Sequence, residues 1–167
     1  MRIILATLWL LVPLGFAAYH YGPGQEQVKL DHTEEFLAQA RSAVQNKNWA
    51  SAVESYQKAL AKLPKENKET SLRIQLEIAK AKMQNSGLPE AREELANLVS
   101  QLNEDPTISS ELKEETLSTL ANARYYMTYL MKLEGLPAEE WEPEIEAARQ
   151  EYKLLAQTGS DKEKHLS

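Results

Sequence analysis

Apolar residues recur every three or four positions along most of the chain, and the runs stop at short turn signals, so the pattern predicts a succession of amphipathic helices. From near Leu30, with Asp31 and Thr33 as candidate N-caps, Phe36, Leu37, Ala40, Ala43 and Val44 trace one stripe that should end around residues 45–48. A second helix is predicted over 49–63, its stripe made of Trp49, Ala52, Val53, Tyr56, Ala59, Leu60 and Leu63, and Pro64 ends it. So short a turn requires the two helices to lie antiparallel. The next pair is predicted over 72–84 and 90–102, with the sequence NSGLP as its turn and Pro89 at the first helical turn, where its missing N–H costs nothing. A long helix follows over 111–133, closed by Gly135 as a C-cap. The segment LPAEEWEP reads as a short helical turn feeding Pro143, which opens a last helix ending at Gly159.

Repeats decide how such helices are organised. AVESYQKAL places Ala52, Tyr56, Ala59 and Leu60 at the spacing at which AREELANLV places Ala91, Leu95, Leu98 and Val99, and ARQEYKLLA places Ala148, Tyr152, Leu155 and Ala156. Ala40 precedes Ala52 by the distance at which Ala79 precedes Ala91. Small residues at these points let paired helices approach closely, and large ones such as Tyr56 fill the groove to the next pair. No pair buries its stripe alone, so about three must stack before such an array is stable.

On these residues the chain resembles the tetratricopeptide-repeat family. Trp49, Ala52, Tyr56, Ala59, Leu60 and Pro64 are similar to the second-helix half of that repeat, and Phe36 and Ala40 to its first-helix half. The resemblance covers residues 33–64 and 72–106. It is interrupted within 112–157, where about fifteen extra residues separate Ala121 from Ala148. It implies an all-α fold, a right-handed α-solenoid of about three helical hairpins, preceded here by an apolar N-terminal helix.

Composition agrees with helices: glycine and proline are sparse, and Ala, Leu, Glu, Lys and Gln dominate. A formal charge of −6 leaves no basic surface for nucleic acid. There is no cysteine, which removes disulfides, thiolate metal sites and a cysteine nucleophile. The first residues carry a location: Arg2 precedes an uncharged apolar run from Ile3 to Ala18, an export signal. Pro13, Gly15 and Ala17 suit cleavage after Ala17, whereas extension through Tyr19 and Tyr21 approaches the roughly 20 residues of a membrane anchor and favours retention. Both readings carry the rest of the chain out of the cytoplasm, anchored if the segment is kept and periplasmic or secreted if it is lost. The expected organisation is an export segment over 1–21, a linker over 22–30, the repeat domain over 31–157 and a disordered, charged tail over 158–167.

Chemistry is sparse. His20, His32 and His165 lack a second ligand at metal spacing, so no metal, cofactor or catalytic residue is assigned. Glu139, Glu140, Glu142, Glu144 and Glu146 around Trp141 form an acidic cluster; a helix dipole accounts for it, and an enzyme using a buried carboxylate there is the alternative. In the family this chain resembles, ligands lie along the inner faces of first helices. That maps to Leu37, Arg41, Arg73, Leu76, Lys80 and Met83, and further along to Asn122, Tyr125 and Tyr129. Arg41, Arg73 and Lys80 would offer positive charge to an acidic peptide segment. The expected activity is therefore non-enzymatic: scaffolding through binding of another envelope protein or a peptide in a concave groove, with no small-molecule substrate. Self-association through an uncapped end of the repeats is a further reading.

Overall fold

The computed structural model describes residues 23–166, with side chains over 30–158. Within that range the protein is all-helical: α1 (Pro23–Gln45), α2 (Trp49–Lys62), α3 (Lys68–Gln84), α4 (Leu88–Glu104), α5 (Ser110–Leu133) and α6 (Ala138–Leu166). The export segment expected over 1–21 lies outside the described residues. Three boundaries differ from the sequence expectation. α1 begins at Pro23, through the stretch read as a linker, because proline with its fixed φ suits the first helical position. α6 begins at Ala138 and contains Pro143 rather than starting at it. It also runs through Gly159 to Leu166, where the neighbouring Asp, Lys and Glu carry modest helix cost and one glycine costs only about 1 kcal/mol.

The helices pack in chain order, each on its predecessor and successor, and α3 also touches α5. Three hairpins result: α1 with α2, α3 with α4, and α5 with α6. Their internal turns share one geometry. Lys47, Ser86 and Gly135 sit at φ of 56°, 61° and 75° directly past the helix ends. In each case the next amide reaches back five residues: Asn48 to the Ala43 carbonyl, Gly87 to Lys82 and Leu136 to Met131. These are Schellman turns, which satisfy carbonyls that a bare helix end would leave open. Only Gly135 occupies the left-handed position without a Cβ penalty.

Six alanines mark the crossings. Ala40 and Ala52, Ala79 and Ala91, and Ala121 and Ala148 belong to the three hairpins in turn, and none is more than 1% exposed. With a single methyl between backbones, paired helices come closer than leucine would permit. α3 is the centre of the molecule because its apolar residues point two ways. Ile74, Ile78 and Ala81 join Leu37, Ala40, Ala52, Tyr56 and Ala59 in one core. Leu72, Leu76 and Ala79 join α4 and α5 in the other, with Leu95, Leu98, Leu102 and Leu112. The two-residue alternation of Leu72, Ile74, Leu76 and Ile78 wraps apolar surface around a helix covered from both sides.

Overpacking one alanine crossing should therefore cost stability. Ala91→Leu is expected to lower the unfolding free energy by about 1–3 kcal/mol. Ser86→Gly should raise it by about 0.5–1 kcal/mol, by relieving a left-handed residue that carries a Cβ. Urea denaturation followed by circular dichroism measures both.

Candidate interaction surface

The cations expected to line an inner groove are present, and their charge is already matched. Lys80 Nζ lies 2.7 Å from Glu77 and 2.6 Å from Glu115, and Arg73 lies 3.7 Å from both Glu69 and Glu115. Glu69 also accepts a 2.6 Å bond from the Ser109 hydroxyl. Burial pulls the Lys80 ammonium down, but its bonds to Glu115 and Glu77 outweigh that and hold its pKa above the ordinary value. Arg41 makes a 3.7 Å contact with Glu34 in the open. The three acids Glu69, Glu77 and Glu115 face the two cations of α3, so the expected positive groove is corrected to a strip of alternating charge. An acidic peptide has no net field to follow there.

The other expected groove residues divide. Leu37 and Leu76 are core side chains, and Met83 is half-buried against the α3–α5 core. Leu37 and Leu76 shape the helices and offer a ligand no open surface. Asn122, Tyr125 and Tyr129 are exposed on α5, and Asn122 Oδ1 accepts a 2.6 Å bond from the hydroxyl of Tyr152 on α6. Tyr126 and Leu130, on the adjoining face of α5 by helical spacing, are exposed as well, and the structure adds Leu133 of α5 and Tyr152 of α6. Tyr125 and Tyr126 meet edge to face at 5.9 Å. Tyr152 occupies the repeat position of Tyr56, yet it is 41% exposed where Tyr56 is buried.

This face stands on a braced hairpin. Glu144 of α6 takes Arg92 of α4 at 2.9 Å through one oxygen and Arg124 of α5 at 2.9 Å through the other. Arg124 Nε also reaches Glu151 at 3.0 Å. All four side chains are largely buried, and their charges cancel. Arg92 Nε and the second oxygen of Glu151 are buried without a hydrogen-bond partner. Burial accordingly pushes the Glu151 carboxyl above its ordinary 4.5, against the pull of Arg124 and with a further push from Glu144. Beyond this quartet, α5 continues from Arg124 to Leu133, roughly 13 Å of helix at 1.5 Å per residue. Lys132 lies over the Trp141 ring at 3.7 Å and closes the tip by cation–π attraction. The extra residues between Ala121 and Ala148 are thus the lengthened end of one hairpin.

The acidic cluster near Trp141 is used structurally: Glu144 is committed to two arginines, and Glu146 bonds Gln150 and Arg149. Elsewhere, Val99, Leu102, Leu117, Leu154 and Leu155 line a groove of about 240 Å³ between α4, α5 and α6. It contains none of the ligand-binding residues expected from the sequence. Among the described residues, no group of three or more His, Cys, Asp or Glu side chains is arranged to hold a metal, and no helix is long and apolar enough to cross a membrane. The geometry defines an all-helical chain of three braced hairpins bearing an exposed aromatic face. Compared with family models, curated proteins and solved structures, the chain finds no match.

Two outcomes test the quartet. Arg124→Met, which strands the buried Glu151 carboxylate and leaves Glu144 with Arg92 alone, should cost about 3–5 kcal/mol. Because the folded pKa of Glu151 lies above its unfolded value, its contribution to stability falls as pH rises from 4.5 through the folded pKa. Glu151→Gln should therefore remove a stability decrement that the wild type shows at neutral pH but not near pH 4.5, measured by urea unfolding across that window.

Proposed function

We propose that this chain is a non-enzymatic protein–protein interaction module of the cell envelope, built as a right-handed α-solenoid of three tetratricopeptide-like hairpins. Its inner face, running from Arg41 past Arg73, Lys80 and Asn122 to Tyr126 and Leu133, binds another envelope protein or a peptide segment. One observation carries the reading. Of the eight large apolar side chains exposed among the described residues, five lie on α5 and a sixth, Tyr152, adjoins them. Tyrosines concentrated in this way are the side chains that anchor interfaces, with apolar bodies and hydrogen-bonding tips. The pairing of helices in chain order, the shared turn geometry and the alanine crossings support the solenoid arrangement. The location rests on the apolar run after Arg2, which keeps the module at the membrane if retained and frees it if cleaved.

With its cations neutralised, the inner face selects for uncharged contact: aromatic or aliphatic side chains against Tyr126 and Leu133, with hydrogen bonds along the alternating charges. Capture from solubilised membranes by the full chain, compared with an Arg73→Glu, Tyr126→Ala double variant, tests this. The variant should recover its specific partner about tenfold less, as expected for loss of a hot-spot residue. Equal recovery by both proteins would remove the inner face from consideration.

A further inference from the structure

We propose that the groove between α2, α3 and α4 binds one long-chain fatty acid, with its alkyl chain against leucine and its carboxylate at Lys65. α2 and α4 both pack on α3, and the space left between them beside the end of α2 is this groove, of about 390 Å³. Leu60, Leu63 and Pro64 form one apolar wall and Leu72 of α3 the floor, with Lys65 and Lys68 beside them. Ser71, Gln75 and Gln101 complete the lining, which therefore holds two cations and no acid in a chain of net charge −6. None of these residues belongs to the inner face, so the site is additional to the interaction surface.

The repeat supplies a second groove for comparison. Val99 and Leu102 follow Leu60 and Leu63 at the interval that separates Ala52 from Ala91. Ser110, Lys113, Glu114 and Leu117 follow Lys68, Ser71, Leu72 and Gln75 at the interval that separates Ala79 from Ala121. All six line the groove between α4, α5 and α6, so the two grooves are equivalent places in successive hairpins. Their chemistry differs. Glu114 stands at the position of Leu72 and Ser110 at that of Lys68, so the second groove sets one acid against its one cation, Lys113, and gives an anion no net attraction. Only the first joins apolar walls to an excess of positive charge.

Charge and volume identify the occupant. Lys68 is bonded to the Asp105 carboxylate, which neutralises it. Lys65 is exposed and forms no ion pair among the described residues. Glu66 lies outside the lining, and Glu69 is engaged by Arg73 and the Ser109 hydroxyl. One free ammonium suits one carboxylate. An apolar cavity of about 150 Å³ holds the six carbons of benzene, so a groove of about 390 Å³ holds roughly sixteen in proportion. No single amino-acid side chain is that large, whereas a long alkyl chain fills the space and gains from every methylene it buries.

The test uses the full chain in phosphatidylcholine nanodiscs, exposed to palmitate carrying a diazirine at its chain end and irradiated, with the labelled peptides then mapped. Label is expected within residues 60–72. Lys65→Glu should lower that label about tenfold, as loss of a charge-assisted hydrogen bond does, and Lys65→Arg should keep it. Lys113→Glu, in the equivalent groove, should leave it unchanged, and hexadecanol with the same diazirine should label weakly. Circular dichroism of each variant should stay helical. Absence of label from residues 60–72 overturns the proposal, as does label indifferent to Lys65→Glu or equal for the acid and the alcohol. Displacement of the probe by a peptide ending in leucine, at the concentration at which unlabelled palmitate displaces it, gives the groove to a protein C-terminus and overturns the proposal as well. The inner face is tested separately, by partner capture through Arg73 and Tyr126.

Discussion

Close approach of helix backbones at paired alanines is the constraint on which the structure depends. Ala40 and Ala52, Ala79 and Ala91, and Ala121 and Ala148 are buried in their hairpins, and side chains this small let paired helices approach so that each hairpin can turn its larger residues outward to the next one. Tyr56 and Leu95 do this for the first two hairpins, filling the space before α3 and α5. The turns cooperate, since the same left-handed residue and backward amide bond close all three hairpins. Stability is therefore distributed along the chain, each hairpin depending on its neighbours for the surface it cannot bury alone.

The third hairpin is held differently. Its inward side carries few large apolar residues, and Arg92, Arg124, Glu144 and Glu151 take their place. A buried ion cluster of this kind is weak evidence for stability, because desolvation consumes most of its Coulomb gain, and two polar atoms here remain unpartnered. What it does supply is register. Glu144 can bridge Arg92 and Arg124 only at one longitudinal position of α6, which fixes how far the tip of the hairpin projects and where its tyrosines stand. Lys132 over Trp141 holds the far end of that projection.

The surfaces follow from these packing choices. The strip around Arg73 and Lys80 carries no net positive charge, because Glu115 of α5 reaches across to both cations of α3 and Glu69 and Glu77 lie beside them. The front end is polar and the back end aromatic.

The sequence by itself determined the helices, their turns and the alanine register, since these rest on interactions within four residues or on spacings that any reader of one strand of text can count. It placed Gly135 at its cap and Ala52, Ala91 and Ala148 at buried crossings. Only the tertiary structure decided that α3 is covered on two sides, that Leu37 and Leu76 are core residues, that Arg73 and Lys80 are neutralised and that Tyr152 is open. Each of those facts depends on a segment outside the residue's own helix, as with Glu115, which lies 35 residues from Lys80 and reaches Arg73 as well. Local periodicity specifies which residues turn inward on a helix, whereas the charge and exposure of a surface are set by whatever distant segment comes to lie against it.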